Sequence, residues 1–158
     1  MEIKTEQELR KLIKPDKYQV FLFACRAQVP FNFAFHPWFV INEKGKLSRF
    51  EIRHYKNNQE WGHLFVNEQP VFQGLSVFLS LKKTRKTILI EYLEGEENSL
   101  AQQILELIKK SQKLYPYNHK YLLWGPNSNT YAQWVLNHFP EWKVKLSWGF
   151  IGKDYKKL

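Results

Sequence analysis

The sequence predicts an α+β domain with an antiparallel β-sheet core and flanking helices. Three observations predict it. Strand-length apolar runs fill the stretch from Tyr18 to Leu93. Clear helical periodicity returns only after Asn98. Regular strand–helix–strand alternation is absent. A doubly wound parallel sheet is therefore not expected, and the sequence holds no GxGxxG, P-loop or HExxH pattern.

The elements follow in order. Thr5-Glu6-Gln7-Glu8 has capping-box spacing, which predicts a short helix from about Glu6 to Lys14, ended by Pro15 and Asp16. Tyr18 to Arg26 is apolar and aromatic, as a central strand would be. His36 to Ile41 and Leu47 to Tyr55 form a hairpin whose connection carries Gly45. Trp61 to Val66 is a further strand. Leu75 to Leu81 and Thr87 to Leu93 are expected to form a second hairpin around Lys82-Lys83-Thr84-Arg85-Lys86.

A helix capped by Asn98 or Ser99 then carries Leu100, Ile104, Leu107 and Ile108 on one stripe, and it stops before Tyr115-Pro116. The extended segment Tyr121 to Trp124 leads into Gly125-Pro126. The last helix starts at Ser128 or Asn129 and runs to about His138, with Tyr131, Trp134, Val135 and Leu136 as its apolar stripe.

The chain has 158 residues, 44% hydrophobic and 16% aromatic, which is enough for one domain spanning 1–158 with a core that needs no crosslinks. Cys25 is the only cysteine, so an intrachain disulfide and a thiolate zinc site are both excluded. No histidine pair has helical ligand spacing, so no metal and no cofactor is expected. The polar, acidic N-terminus and the lack of an 18-residue apolar window predict a cytoplasmic location. The net charge is +9, but most of the lysines are scattered, which fits a soluble surface better than a nucleic-acid or acidic-membrane partner.

The chemistry-bearing residues gather around Asn127-Ser128-Asn129-Thr130. Small polar side chains at a helix start cap its free N–H groups, and the same geometry favours an anion or an activated hydroxyl. A serine there needs a base. His36, opening an apolar strand, is the candidate. Positions 51 to 54 lie opposite it in the hairpin, so Glu51 or His54 would orient the ring, and a carboxylate is preferred because it stabilises imidazolium. His63 and Trp124 are candidate walls of the same cleft. Cys25, in a strand, is expected to be buried and inert.

Leu123-Trp124-Gly125-Pro126-Asn127-Ser128-Asn129-Thr130-Tyr131 and Ile151-Gly152-Lys153-Asp154-Tyr155 together resemble a bacterial family known only as a domain of unknown function. The order of His36 before Asn127-Ser128-Asn129-Thr130-Tyr131 also resembles circularly permuted papain-like proteins, related to NlpC/P60 and lecithin:retinol acyltransferase. In those proteins a late cysteine opens a helix, and Ser128 stands at that position here.

The second resemblance implies a papain-like cleft with Ser128, His36 and Glu51 acting on an amide or ester. Asn127, Asn129, Thr130, Trp124, His54 and His63 would contact a small-molecule or peptide ligand. Because a hydroxyl does not ionise as a thiol does, a degenerate module that binds an anionic or peptide ligand without cleaving it is the alternative.

Overall fold

The computed structural model describes residues 6–77 and 83–156. The order is α1 (Glu6–Lys11), β1 (Tyr18–Arg26), β2 (Phe35–Glu43), β3 (Lys46–Ile52), β4 (Leu64–Val66), β5 (Ile88–Gly95), α2 (Leu100–Leu114) and α3 (Ser128–His138), closed by a 3-10 turn at Pro140–Trp142. The five strands form one sheet in the order β4-β3-β2-β1-β5, with every neighbouring pair antiparallel. The fold is therefore α+β.

Both faces of the sheet are covered, which explains why β1 is continuously apolar rather than alternating. Val20, Leu22 and Ala24 point to one face, where α2 packs on β1 and β5 while α3 packs on β2 and β3. Phe21, Phe23 and Cys25 point to the other, where Leu9 of α1 and the loop residues Phe72 and Leu75 close over them. β2 divides in the same way: Phe39 and Ile41 join the helical face, Trp38 and Val40 the loop-covered face.

Three local expectations are corrected. Helix α1 stops at Lys11, because the Gln19 side chain accepts from Lys14 N and donates to Leu12 O, drawing the chain away from the helix. The strand after the basic cluster pairs with β1, not with the run before it, because β2 occupies only one edge of β1. Residues 75–77 instead bridge to 83–85, through Val77 N to Lys83 O and Arg85 N to Leu75 O. Tyr121 to Trp124 is a turn rather than a strand, closed by Leu122 N to Pro126 O and Gly125 N to Leu122 O. The Thr5 cap and residues 78–82 lie outside the described residues. Among the described residues no helix is long and apolar enough to cross a membrane.

Helix α2 takes its cap from Ser99, whose hydroxyl accepts from Gln102 N, and it buries Ile104, Leu105 and Ile108 completely. Ile104→Ala leaves a cavity between helix and sheet and should cost about 2–5 kcal/mol. Denaturant unfolding reads this as a lower midpoint with an unchanged slope.

Candidate functional site

The turn before α3 and the chain end form an interlocked pair. Asn127 Oδ1 accepts from the backbone N–H groups of Asn129 (2.9 Å) and Thr130 (3.3 Å), and Thr130 Oγ1 accepts from Asn127 N (3.0 Å), completing a capping box. The same side chains then reach the tail. Asn127 Nδ2 and Asn129 Nδ2 both donate to Ile151 O, at 3.1 and 2.8 Å, and Thr130 Oγ1 donates to Gly152 O at 2.7 Å. Gly125 and Gly152 meet at the centre of this clasp, both with positive φ. A Cβ on Gly152 would lie 2.6 Å from Asn127 Nδ2 and 2.9 Å from Gly125 N.

Three of the four polar residues in Asn127-Ser128-Asn129-Thr130 are thus consumed by capping and clasping. Ser128 is the exception. Its side chain lies near Tyr121 instead and lines a cavity of about 600 Å³. As the first residue of α3 it presents a backbone N–H that has no partner among the described residues.

His36 and Arg53 reach the same cavity from the sheet, and His54 reaches it from the loop after β3. Glu51 sits behind them, 1% exposed. Its Oε2 lies 3.0 Å from His36 Nε2 and accepts from Arg49 Nη2 at 2.9 Å. Arg53 Nη1 lies 3.6 Å from Oε1. Arg49 is held in turn: it donates to Pro70 O and Gln73 O and stacks over Trp38 at 4.4 Å, with its Nε buried and without a partner.

Burial works to raise the Glu51 carboxyl, but the His36 hydrogen bond and the two guanidiniums outweigh it and hold the group at about 2. Burial lowers the His36 pKa below the ordinary imidazole value of 6.5, and Glu51 offsets this only in part. At neutral pH the pair is therefore a carboxylate receiving Nε2–H from a neutral ring. His36 Nδ1, with its lone pair, then makes no hydrogen bond among the described residues.

The other sequence candidates separate from this group. His63 does not line the cavity. Its Nδ1–H is held by Arg53 O at 2.8 Å, and its ring packs on Tyr121 at 5.5 Å. Trp124 is 70% exposed and borders a separate shallow groove with Trp148. Asn127 and Asn129 border the cavity, whereas Thr130 faces the tail. His54 does not touch Glu51. Burial and the neighbouring Arg53 and His63 lower its pKa.

Cys25 is buried, its thiol pushed up to about 11 by burial, so it stays protonated. Among the described residues no three of His, Cys, Asp and Glu gather as metal ligands.

Sequence reasoning missed Arg53 and Tyr121. Arg53 had a signal: Arg49, Glu51 and Arg53 alternate along β3 and its extension, so they share a face. Tyr121 had none, because only the turn carries its ring under Ser128.

Two predictions follow from this geometry. Gly152→Ala should cost on the order of 1–3 kcal/mol, because the clasp must open to admit a methyl at a left-handed backbone position. Thermal melting measures the loss. The second concerns acid. Both His36 and Glu51 have lowered pKa values in the folded chain, so the unfolded chain binds their protons first. Stability contributed by His36 is present above pH 6.5 and declines as pH falls below it. The Glu51 contribution declines from about pH 4.5 towards 2. Denaturant midpoints should fall from pH 7 to 5, and less steeply in His36→Asn. Parallel declines in the two proteins would refute the assignment.

No curated protein and no solved structure matches the chain. A family model does match, over residues 17–155, which takes in the whole sheet, α2, α3 and the clasp. The chain belongs to the family described as Protein of unknown function (DUF3750).

Proposed function

We propose that the cavity is the active site of a Ser–His hydrolase or acyltransferase acting on an amide or ester, arranged in the permuted papain-like manner. The observation that carries this reading is the buried His36–Glu51 hydrogen bond, at 3.0 Å, in the wall that Ser128 also lines. Glu51 fixes the ring with Nε2–H inward, which leaves Nδ1 as the basic atom.

In the reaction Ser128 Oγ turns from Tyr121 towards His36 and attacks the carbonyl carbon as Nδ1 takes its proton. The carbonyl oxygen becomes an oxyanion. Asn129 N–H is already taken by Asn127 Oδ1, so the donors left for that oxyanion are Ser128 N–H and the Tyr121 hydroxyl. Burial raises the Tyr121 pKa above its ordinary value of 10, so its hydroxyl keeps its proton and can donate it. Collapse breaks the bond to the amine or alcohol, which leaves with the proton held by His36. Water or a second nucleophile then releases the acyl group from Ser128 by the reverse steps.

One observation favours a second reading. The Ser128 side chain lies near Tyr121 rather than bonded to His36, as a site that binds without cleaving would have it.

A fluorophosphonate probe decides between them. The wild-type protein should be labelled at Ser128. Ser128→Ala should abolish labelling, and His36→Ala should slow it 10³-fold or more. Glu51→Gln should shift the pH dependence of the labelling rate. Labelling of Ser128→Ala at the wild-type rate would remove the mechanism, and an unlabelled wild-type protein would favour the binding site.

A further inference from the structure

From the charge balance of the cavity we infer that it selects a ligand carrying one carboxylate: an amphiphile whose anionic end sits on Arg53 and whose apolar body fills the rest. For the reaction proposed above, the substrate is then an amide or ester with a free carboxylate on one side of the scissile bond. The identity of the substrate rests on that reading, whereas carboxylate recognition itself does not.

Arg49, Glu51 and Arg53 bring two guanidiniums and one carboxylate to one face beside β3. Glu51 Oε2 is fully used by His36 and Arg49. Oε1 and Arg53 Nη1 face each other at 3.6 Å, beyond hydrogen-bond length, and both atoms are buried without a hydrogen-bond partner. The rest of the Arg53 guanidinium lies over the Tyr55 ring at 4.9 Å, a contact that brings no counter-charge. One positive charge is therefore left over, on a side chain that is only 7% exposed and forms part of the cavity wall.

No other anion answers it. His36 is neutral, burial keeps the Tyr121 phenol protonated, and His54 bears no negative charge in any state. The N-terminus of α3 adds a further positive end from across the cavity. Two buried guanidiniums sharing one carboxylate leave the site short of negative charge, and a bound carboxylate would relieve it by accepting from two guanidinium N–H donors in fork geometry.

The rest of the lining sets the remainder of the ligand. Val29, Phe31, Phe35, Leu75, Leu123 and Ile151 make the greater part of the wall apolar. A volume of about 600 Å³ suits a small molecule rather than a chain segment. A single surplus charge selects a monoanion. A phosphate dianion would bring a second negative charge towards Glu51, which is already held ionised.

The test uses Ser128→Ala protein, which binds without turnover, and calorimetry with 4-phenylbutyrate, 4-phenylbutanol and inorganic phosphate. The carboxylate should bind at least tenfold more tightly than the alcohol of the same body, and phosphate should bind more weakly than either. Arg53→Met should erase the preference for carboxylate. Arg53→Lys should keep part of the preference.

Should Arg53→Met not fold, the parent and the lysine variant decide. Equal affinity of the parent for carboxylate and alcohol, or phosphate competing as well as carboxylate, would overturn the inference. The fluorophosphonate reaction of the wild-type protein at Ser128 uses a probe without a carboxylate, so it reads the catalytic assignment separately. Labelling with no carboxylate preference would end this inference alone. Carboxylate preference without labelling would end the catalytic reading alone.

Discussion

Glu51 is a carboxylate with 1% exposure between a sheet and its covering loop, and the arrangement around it follows from keeping it ionised. Three positively charged or N–H-bearing side chains converge on it from one sheet face: Arg49, Arg53 and His36. Arg49 in turn holds the covering loop by donating to Pro70 O and Gln73 O, and it stacks on Trp38. The carboxylate therefore ties β3, β2 and the loop into one unit. Removing it would strand two buried guanidiniums, so its fixed position owes as much to folding as to any chemistry at His36.

The second constraint is the clasp. A helix start at the sheet end needs its free N–H groups satisfied, and here the capping side chains also bind the tail at Ile151 and Gly152. That double use explains why the Asn127-Ser128-Asn129-Thr130 stretch and Ile151-Gly152 go together: two glycine backbones approach where no side chain fits. It also explains why Ser128 stands apart. Its neighbours point into the clasp, whereas its own side chain borders the cavity.

Sequence reading brought Glu51 near His36 because hairpin register is a local property: β2 and β3 are joined by a tight turn, and the register that pairs Phe39 with Phe50, carried on, sets Glu51 opposite Trp38, on the face of His36 and two residues along. The helices were legible for a similar reason, since Ser99 and Asn127 announce themselves as caps. What failed was tertiary. Nothing local shows that the 70–77 loop covers the alternating charges of β3. The strand after the basic cluster found β1 rather than its sequence neighbour, and no local signal chooses between two edges. His63 and Trp124 look alike as aromatic candidates, yet a backbone carbonyl holds one beside the cavity and a turn swings the other into solvent.

The cavity wall sets a neutral imidazole beside a surplus cation, and this bears on the proposed use of a serine there. A thiol gains from a cationic neighbour because its reactive form is an anion. A hydroxyl reacts without prior ionisation and needs a neutral base instead. Burial keeps His36 neutral, and Glu51 orients the ring without charging it at pH 7. The one real thiol, Cys25, lies under the covering loop on the same sheet face as Arg49, where burial overrides the cation and keeps it protonated. The surplus charge is carried by Arg53, one strand over from the base. A neutral imidazole and a cation with only a shared counter-charge are compatible because Glu51 stands between them, hydrogen-bonded to His36 and at 3.6 Å from Arg53.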